Sequence, residues 1–382
     1  MVLKVWVVVC AFLAGAASEA APQTTPRPRQ PRASRQASGV GSGWTALEAG
    51  RVSAAVSAAD AVLQQRPHDH AAIVLKIQAL ASAADINAAL DAYTTWTSTH
   101  REPDLHLLGI AAEAVLEQIA TNGPEMAQRV VALETLAGAG DKGAAETLAG
   151  LGPSAGVEGE LAKARLGDAA AAEAVAKRLA ANPRNADLIR ELGKVKAPPV
   201  ENALIQLLAN SDPGTRASAA DALAGSGSDT AAAPLVKALG DPEASVRQSA
   251  AVALAALGRP EGGELVDGML QSGVPDIVLS VAEAMPWEPG RWEAVVQSLL
   301  DTENPVDRLR AARLLGSKSP DATRVLSAAL SDENVAVREE AARALSELGT
   351  VEPSTDWRRL LSDPSPWVRL EAARALWRQV TQ

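Results

Sequence analysis

Histidine is the first residue type to weigh, because an imidazole can bind metal or move protons near neutral pH. The chain has four, His68, His70, His100 and His106, and no histidine from Leu107 onward. His68-Asp69-His70 offers two metal ligands, but it follows Pro67 in a segment that reads as a turn between helices, where polar residues are ordinary. Zinc needs a third or fourth ligand at suitable spacing, and none stands there, so no metal and no cofactor are expected. The one cysteine, Cys10, lies in an N-terminal apolar run, which leaves the rest of the chain without disulfide, thiolate or cysteine-nucleophile chemistry. A Ser-His-Asp set, a phosphate loop and His-Glu-x-x-His are all missing, so no catalytic residue is assigned.

What remains is surface suited to recognition. Arg313, Arg343, Arg374, Trp377 and Arg378 fall off the apolar stripe of the last expected helices, among Glu340, Glu347 and Glu371. Arg and Trp dominate binding hot spots because each buries a large area while keeping polar contacts. The competing reading is that Trp367 and Trp377 cover the open end of the last structural unit. Trp287 and Trp292 flank Pro286 and Pro289 in an irregular stretch, where they serve either as packing filler or as ligand contacts.

These residues must be positioned by a repeat. The stretch from Leu235 to Gly258 recurs from Val325 and from Trp357, and each copy reads as two helices and a tight turn. Gly240 is expected to end the first helix in the left-handed conformation, with Asp241 capping the second and Pro242 at its first position. Val246, Ala250, Leu254 and Leu257 then share one helical face, and Gly258 closes it. Aligned on Ala219/Ala220, Ala250/Ala251, Val281/Ala282, Ala311/Ala312, Ala341/Ala342 and Ala372/Ala373, the copies stand 30 or 31 residues apart, and Leu188/Ile189 extends the series. One helix pair cannot bury its apolar face alone, so such a period implies a stack, an all-α solenoid shaped as a curved rod.

The pattern DPxxxVRxxAAxAL, present from Asp241 to Leu254 and from Asp363 to Leu376, resembles the HEAT-like repeat family of the phycobilin-lyase type. The resemblance implies an Asp in each turn and an Arg six residues on, forming a polar ladder between successive repeats, with the pairs here Asp241 with Arg247, Asp332 with Arg338 and Asp363 with Arg369. Arg216 and Arg308 are in register but follow irregular turns, and Leu279 stands where one Arg belongs. Activities carried by this family test poorly on these residues. Its iron-dependent hydroxylases need His-Glu pairs along the helices, and none can form after Leu107. Its DNA glycosylases use aromatic and acidic residues in a basic groove, which Trp287, Glu288, Trp292 and Glu293 match only faintly. Its phycobilin lyases work in the cytoplasm.

Before the array, residues 1–20 read as a secretory signal: Lys4, a 13-residue apolar run from Val5 to Ala17, and the small-x-small site Ser18-Glu19-Ala20. That run is shorter than the roughly 20 residues a spanning helix needs. Residues 21–43, rich in Pro, Arg and Ser, read as a solvated tether. Residues 44–120 carry a period of 34, with Val52 matching Ile86, Ala55 matching Ala89 and Val62 matching Trp96; with Gly50 and Pro67 this resembles the tetratricopeptide repeat. Residues 121–382 form the HEAT-like array, its first part broken by Gly138 to Gly143 and Gly150 to Gly156. The formal net charge is −10, and the first 46 residues hold +4 of opposite sign, so the body is acidic and no nucleic-acid partner is expected. The reading is an exported, monomeric, non-catalytic scaffold for a protein or peptide on the concave face. The alternative is an enzyme or enzyme accessory acting on a small molecule or polymer near Trp287 to Trp292.

Overall fold

The computed structural model describes residues 32–100, 104–152, 155–225, 229–348 and 355–381. The expected signal segment and Cys10 lie outside them. Among the described residues all regular structure is helical, and no helix is long and apolar enough to cross a membrane.

The chain forms helical hairpins in sequence. The first are α1 (Arg32–Glu48) with α2 (Val52–Gln65), α3 (His70–Ser82) with α4 (Ile86–Thr97), and α5 (Leu105–Asn122) with α6 (Met126–Gly138). Shorter ones follow: α7 (Lys142–Ala149) with α8 (Gly156–Arg165), and α9 (Ala169–Ala181) with α10 (Ala186–Leu192). The regular array comprises α11 (Pro198–Leu207) with α12 (Pro213–Ala224), α13 (Ala232–Ala238) with α14 (Ala244–Ala256), and α15 (Gly263–Gln271) with α16 (Pro275–Ala284). It ends with α17 (Pro289–Ser298) and α18 (Pro305–Leu315), α19 (Pro320–Ala329) and α20 (Val335–Leu348), and α21 (Trp357–Leu361) and α22 (Pro366–Thr381).

The alignment that revealed the repeat marks the core. All six pairs from Ala219/Ala220 to Ala372/Ala373 are fully buried, at 0% exposure. Side chains this small let neighbouring second helices approach closely, and α12, α14, α16, α18, α20 and α22 each pack on the next. Caps fix where helices start: Asp69, Asp85, Asp104, Asp141 and Asp212 each accept a hydrogen bond from a first-turn N–H. Each such cap stabilises its helix by about 1 kcal/mol.

Several expectations change in detail. Gly258 takes the left-handed conformation, with φ +68°, but Gly240 does not, because α13 ends in a right-handed turn at Leu239. Asp212 caps α12 with Pro213 at its first position, as expected. Asp241 instead accepts from the Glu243 N–H at 3.0 Å, two residues ahead of α14, so Pro242 stays outside the helix. Residues 32–43, expected to belong to a tether, are helical, since α1 begins at Arg32. Gly43 lets α1 settle on α3, as a Cβ there would stand 2.4 Å from Leu75 Cδ2. Ala46, Leu47, Ala55, Ala59, Leu75 and Ala79 close a small core beside Trp44.

The main departure is in the overall shape. A curved rod would leave α22 uncovered, but α22 packs along α5 and touches α6, while α21 meets α5. Hairpins from α5/α6 to α21/α22 therefore close into a ring, with α1 to α4 as an arm. At the closure Gly109 faces Val380, and a Cβ on Gly109 would lie 2.9 Å from Val380 Cγ2. Arg358 on α21 pairs with Asp91 on α4. Buried residues of α4 to α6 accordingly share one hydrophobic cluster with those of α16 to α22. The open end that Trp377 and Trp367 were expected to cover is covered by α5.

Candidate functional site

In a curved two-layer stack the inner layer is the more closely spaced one. Second helices from α10 to α22 touch in unbroken succession, whereas contact between successive first helices is close only in the N-terminal half, so the second helices line the inside of the ring. A belt of polar side chains links them. Arg165 on α8 joins Glu134 on α6 at 3.1 Å to Glu191 on α10 at 2.7 Å. Arg310 on α18 reaches Asp276 at 2.7 Å and Glu283 at 2.9 Å, both on α16. Arg313 joins Glu283 to Glu347 on α20. Arg378 on α22 donates to the Ser346 carbonyl of α20 at 2.9 Å.

The electrostatics along this belt are uneven. Burial opposes the charge on Arg310, but hydrogen bonds and Coulomb attraction from Glu283 and then Asp276 outweigh it and hold the guanidinium above its ordinary pKa. Arg378 goes the other way, lowered by burial and by the neighbouring Arg374. Asp221 on α12 has an exposed side chain, yet the protein packed around it raises its carboxyl, first by desolvation and then by the charge of Asp276, with a hydrogen bond to Ser249 opposing both. The belt thus holds an under-compensated carboxylate at Asp221 and an under-compensated cation at Arg378.

The residues singled out in the sequence take different places. Arg313 and Arg378 are in the belt. Arg343 is exposed and pairs with Glu340 at 3.1 Å, and Arg374 pairs with the buried Glu371 at 2.8 Å. Trp377 is buried at 5% exposure and Trp292 at 4%, so both belong to the core and not to the surface. The Trp292 indole N–H donates to the Met285 carbonyl at 2.8 Å. Trp287 is 51% exposed, while nearby Arg291 takes up Glu288 and Asp267. A cleft at Leu192, Lys196, Pro198, Glu201 and Ala222 encloses 170 Å³. That is below the roughly 300–1,000 Å³ of typical ligand pockets.

The expected ladder exists with different partners. Arg247, Arg338 and Arg369 do not bond the carboxylates of Asp241, Asp332 and Asp363 in their own turns. They donate to backbone carbonyls there, as Arg247 does to Asp241 O and Pro242 O, both at 2.8 Å. The carboxylates serve the preceding repeat instead: Arg216 forks onto Asp241 at 2.8 Å, and Arg338 onto Asp363 at 3.0 and 3.2 Å. Arg216 and Arg338 therefore tie their own turns and reach forward to the next, while Arg247 and Arg369 hold their own turns. Leu279, in the place of an Arg, is fully buried, and Ser272 stands where the next Asp would be.

Sequence reasoning missed how the histidines assemble. His68 Nδ1 lies 3.3 Å from His100 Nε2, and His70 Nε2 lies 2.8 Å from Asp104 Oδ2. His100 stacks on Trp96, with ring centroids 4.1 Å apart, and His70 faces both Trp96 and His106. The available signal was the spacing, since 68 to 100 and 70 to 104 are close to one period of the N-terminal repeat.

No curated protein matches the chain. Among solved structures it is similar to the complex of CpcE and CpcF of phycocyanin lyase from Nostoc sp. PCC7120, at 21% identity and TM-score 0.32 over 51% of this chain and 77% of that one. It is similar to human deoxyhypusine hydroxylase, at 18% identity and TM-score 0.34 over 67% and 98%. An engineered protein matches at 17% identity and TM-score 0.27 over 80% and 95%. Residues 200–285 and 293–377 match the HEAT repeat family. That match lies in the C-terminal region of the chain, over α11 to α22.

Proposed function

We propose that the protein is a non-catalytic scaffold that holds an extended peptide or protein segment against the inner face of its ring. The observation that supports this most is the belt on the second helices, which runs from helix to helix and offers both a carboxylate and a guanidinium with incomplete compensation, Asp221 and Arg378. Such groups favour a partner that supplies opposite charges, and they discriminate through mismatched charges as much as through attraction. On this reading the leader directs the chain out of the cytoplasm, and the N-terminal arm keeps the tetratricopeptide-like character of its 34-residue period. Proximity crosslinking of the full-length protein in its native cells would compare wild type with Asp221→Lys and Arg378→Glu. Loss of the same captured proteins in both variants is expected. Undiminished capture in both would refute the inner-face site.

A further inference from the structure

We propose that the inner face is polarised along the ring, so that the polypeptide segment it holds carries basic side chains over α12 and acidic side chains over α22. This names the partner of the inner-face site and rests on the scaffold reading of it.

The polarity follows from the repeat. The residue after each buried pair of the alignment takes one register position on successive second helices, and it reads Asp221, Val252, Glu283, Arg313, Arg343, Arg374. The sign of the charge changes once, between α16 and α18. The residue before each pair divides at the same place, with Ser218, Ser249 and Ser280 giving way to Arg310. Residues three apart are neighbours on a helix surface, so both positions belong to one face. Glu340 and Glu371, which follow Arg310 in that register, are each taken up by the arginine three residues on, Arg343 at 3.1 Å and Arg374 at 2.8 Å.

Pairing between helices cancels charge where the two arcs meet and leaves it at their far ends. At the meeting point Arg310 and Arg313 both reach back to Glu283, and Arg313 also takes Glu347. Asp221 makes no ion pair among the described residues; Ser249 on α14 hydrogen-bonds its carboxyl, and the charge acting on it is Asp276, of the same sign. At the other end Arg378 donates to the Ser346 carbonyl, and the two carboxylates that act on it, Glu371 and Glu347, are already held by Arg374 and Arg313. An opposite charge brought beside either end group would complete it. Neighbouring helices pack roughly 8–10 Å apart, so the steps from α12 to α22 through α14, α16, α18 and α20 span about 40–50 Å along the face. An extended chain advances about 3.3 Å per residue and covers that arc with about 12–15 residues. Because the two signs are wanted at opposite ends, a segment with separate basic and acidic blocks fits, and one with alternating signs does not.

The test uses two fluorescein-labelled peptides of the same composition and about 14 residues, with both termini blocked. One has a Lys block, a Gly-Ser spacer and a Glu block; in the other Lys and Glu alternate. Fluorescence anisotropy with the full-length protein at low ionic strength should show the block peptide binding about ten-fold or more tightly than the alternating one. Their equal net charge keeps the overall acidity of the protein from producing that difference. Asp221→Lys and Arg378→Glu, checked for folding by circular dichroism, should each weaken the block peptide about ten-fold. Lys177→Glu makes the same change of charge as Arg378→Glu on the first helix α9, at an exposed side chain, and should leave binding unchanged. Absence of measurable binding, equal affinity for the two peptides, or undiminished affinity in either inner-face variant would overturn the polarity. The inner-face site itself would still stand or fall by the crosslinking of native partners.

Discussion

Replacing Gly109 with Ala should reveal whether the ring is closed, because closure decides the sign of the effect. In an isolated helix interior the change stabilises by roughly 0.5–1 kcal/mol, since Gly loses more backbone entropy on folding. In the closed ring the new methyl would stand 2.9, 3.1 and 3.3 Å from Cγ2, Cγ1 and Cβ of Val380. Inserting a methyl into packed surroundings costs about 1–3 kcal/mol, so Gly109→Ala should destabilise by about 1 kcal/mol or more. Val380→Ala removes both γ-methyls and leaves only the Cβ at 3.3 Å, so in that background Gly109→Ala should cost markedly less. The assay is urea unfolding of the four proteins of this double-mutant cycle, read as midpoint shifts at constant slope. Stabilisation by Gly109→Ala alone, with no coupling to Val380, would mean that α5 and α22 do not meet.

Other perturbations read the repeat and its electrostatics. Leu254→Asp, at a fully buried position, should cost several kcal/mol because it places an unpaired charge in the core; an unchanged melting temperature would contradict the helix register. Arg338→Ala strands the Asp363 carboxylate, which is 4% exposed, and should cost about 2–4 kcal/mol in chemical denaturation, against under about 1 kcal/mol for Arg178→Ala at a half-exposed pair. Glu113 is pushed up from 4.5 to about 7, first by burial and then by the charges of Glu117 and Asp141. Its native state holds a proton that the unfolded chain releases, so its contribution is full below pH 4.5 and lost as pH rises through 7. Glu113→Gln should therefore gain as much as about 3 kcal/mol over wild type at pH 8 and nothing near pH 4.5, as followed by melting across that range.

How far these features could be read in advance depended on distance along the chain. The Ala-Ala pairs were legible because the stacking that buries them recurs every 30 or 31 residues, and each pair lies in the local pattern of its own helix. Caps such as Asp212 were equally local. At Asp241 the Asp-Pro pair gave the right residue, but a two-residue turn intervened before the helix. Trp377 and Trp292 were ambiguous because an amphipathic aromatic suits either surface or core, and only the docking of α5 on α22 and the bend at Met285 decide between them. Gly109 and Val380 carry no shared period, so nothing nearby announces their contact. The histidine pair had a signal, its near-match to the 34-residue repeat, which became meaningful only once the stacked turns put equivalent positions side by side.

The most direct test of the closed ring is a covalent one. In a Cys10→Ser background the chain has no other cysteine, and Gly109→Cys with Val380→Cys would place two Cβ atoms about as close as the 3.3 Å from Gly109 to Val380 Cβ suggests. Disulfides span roughly 3.5–4.5 Å between Cβ atoms, within a small adjustment of that distance. Mild oxidation of the dilute protein, followed by intact-mass and non-reducing gel analysis, should give a monomer with one internal disulfide. Free thiols or disulfide-linked dimers alone would show that the solenoid stands open.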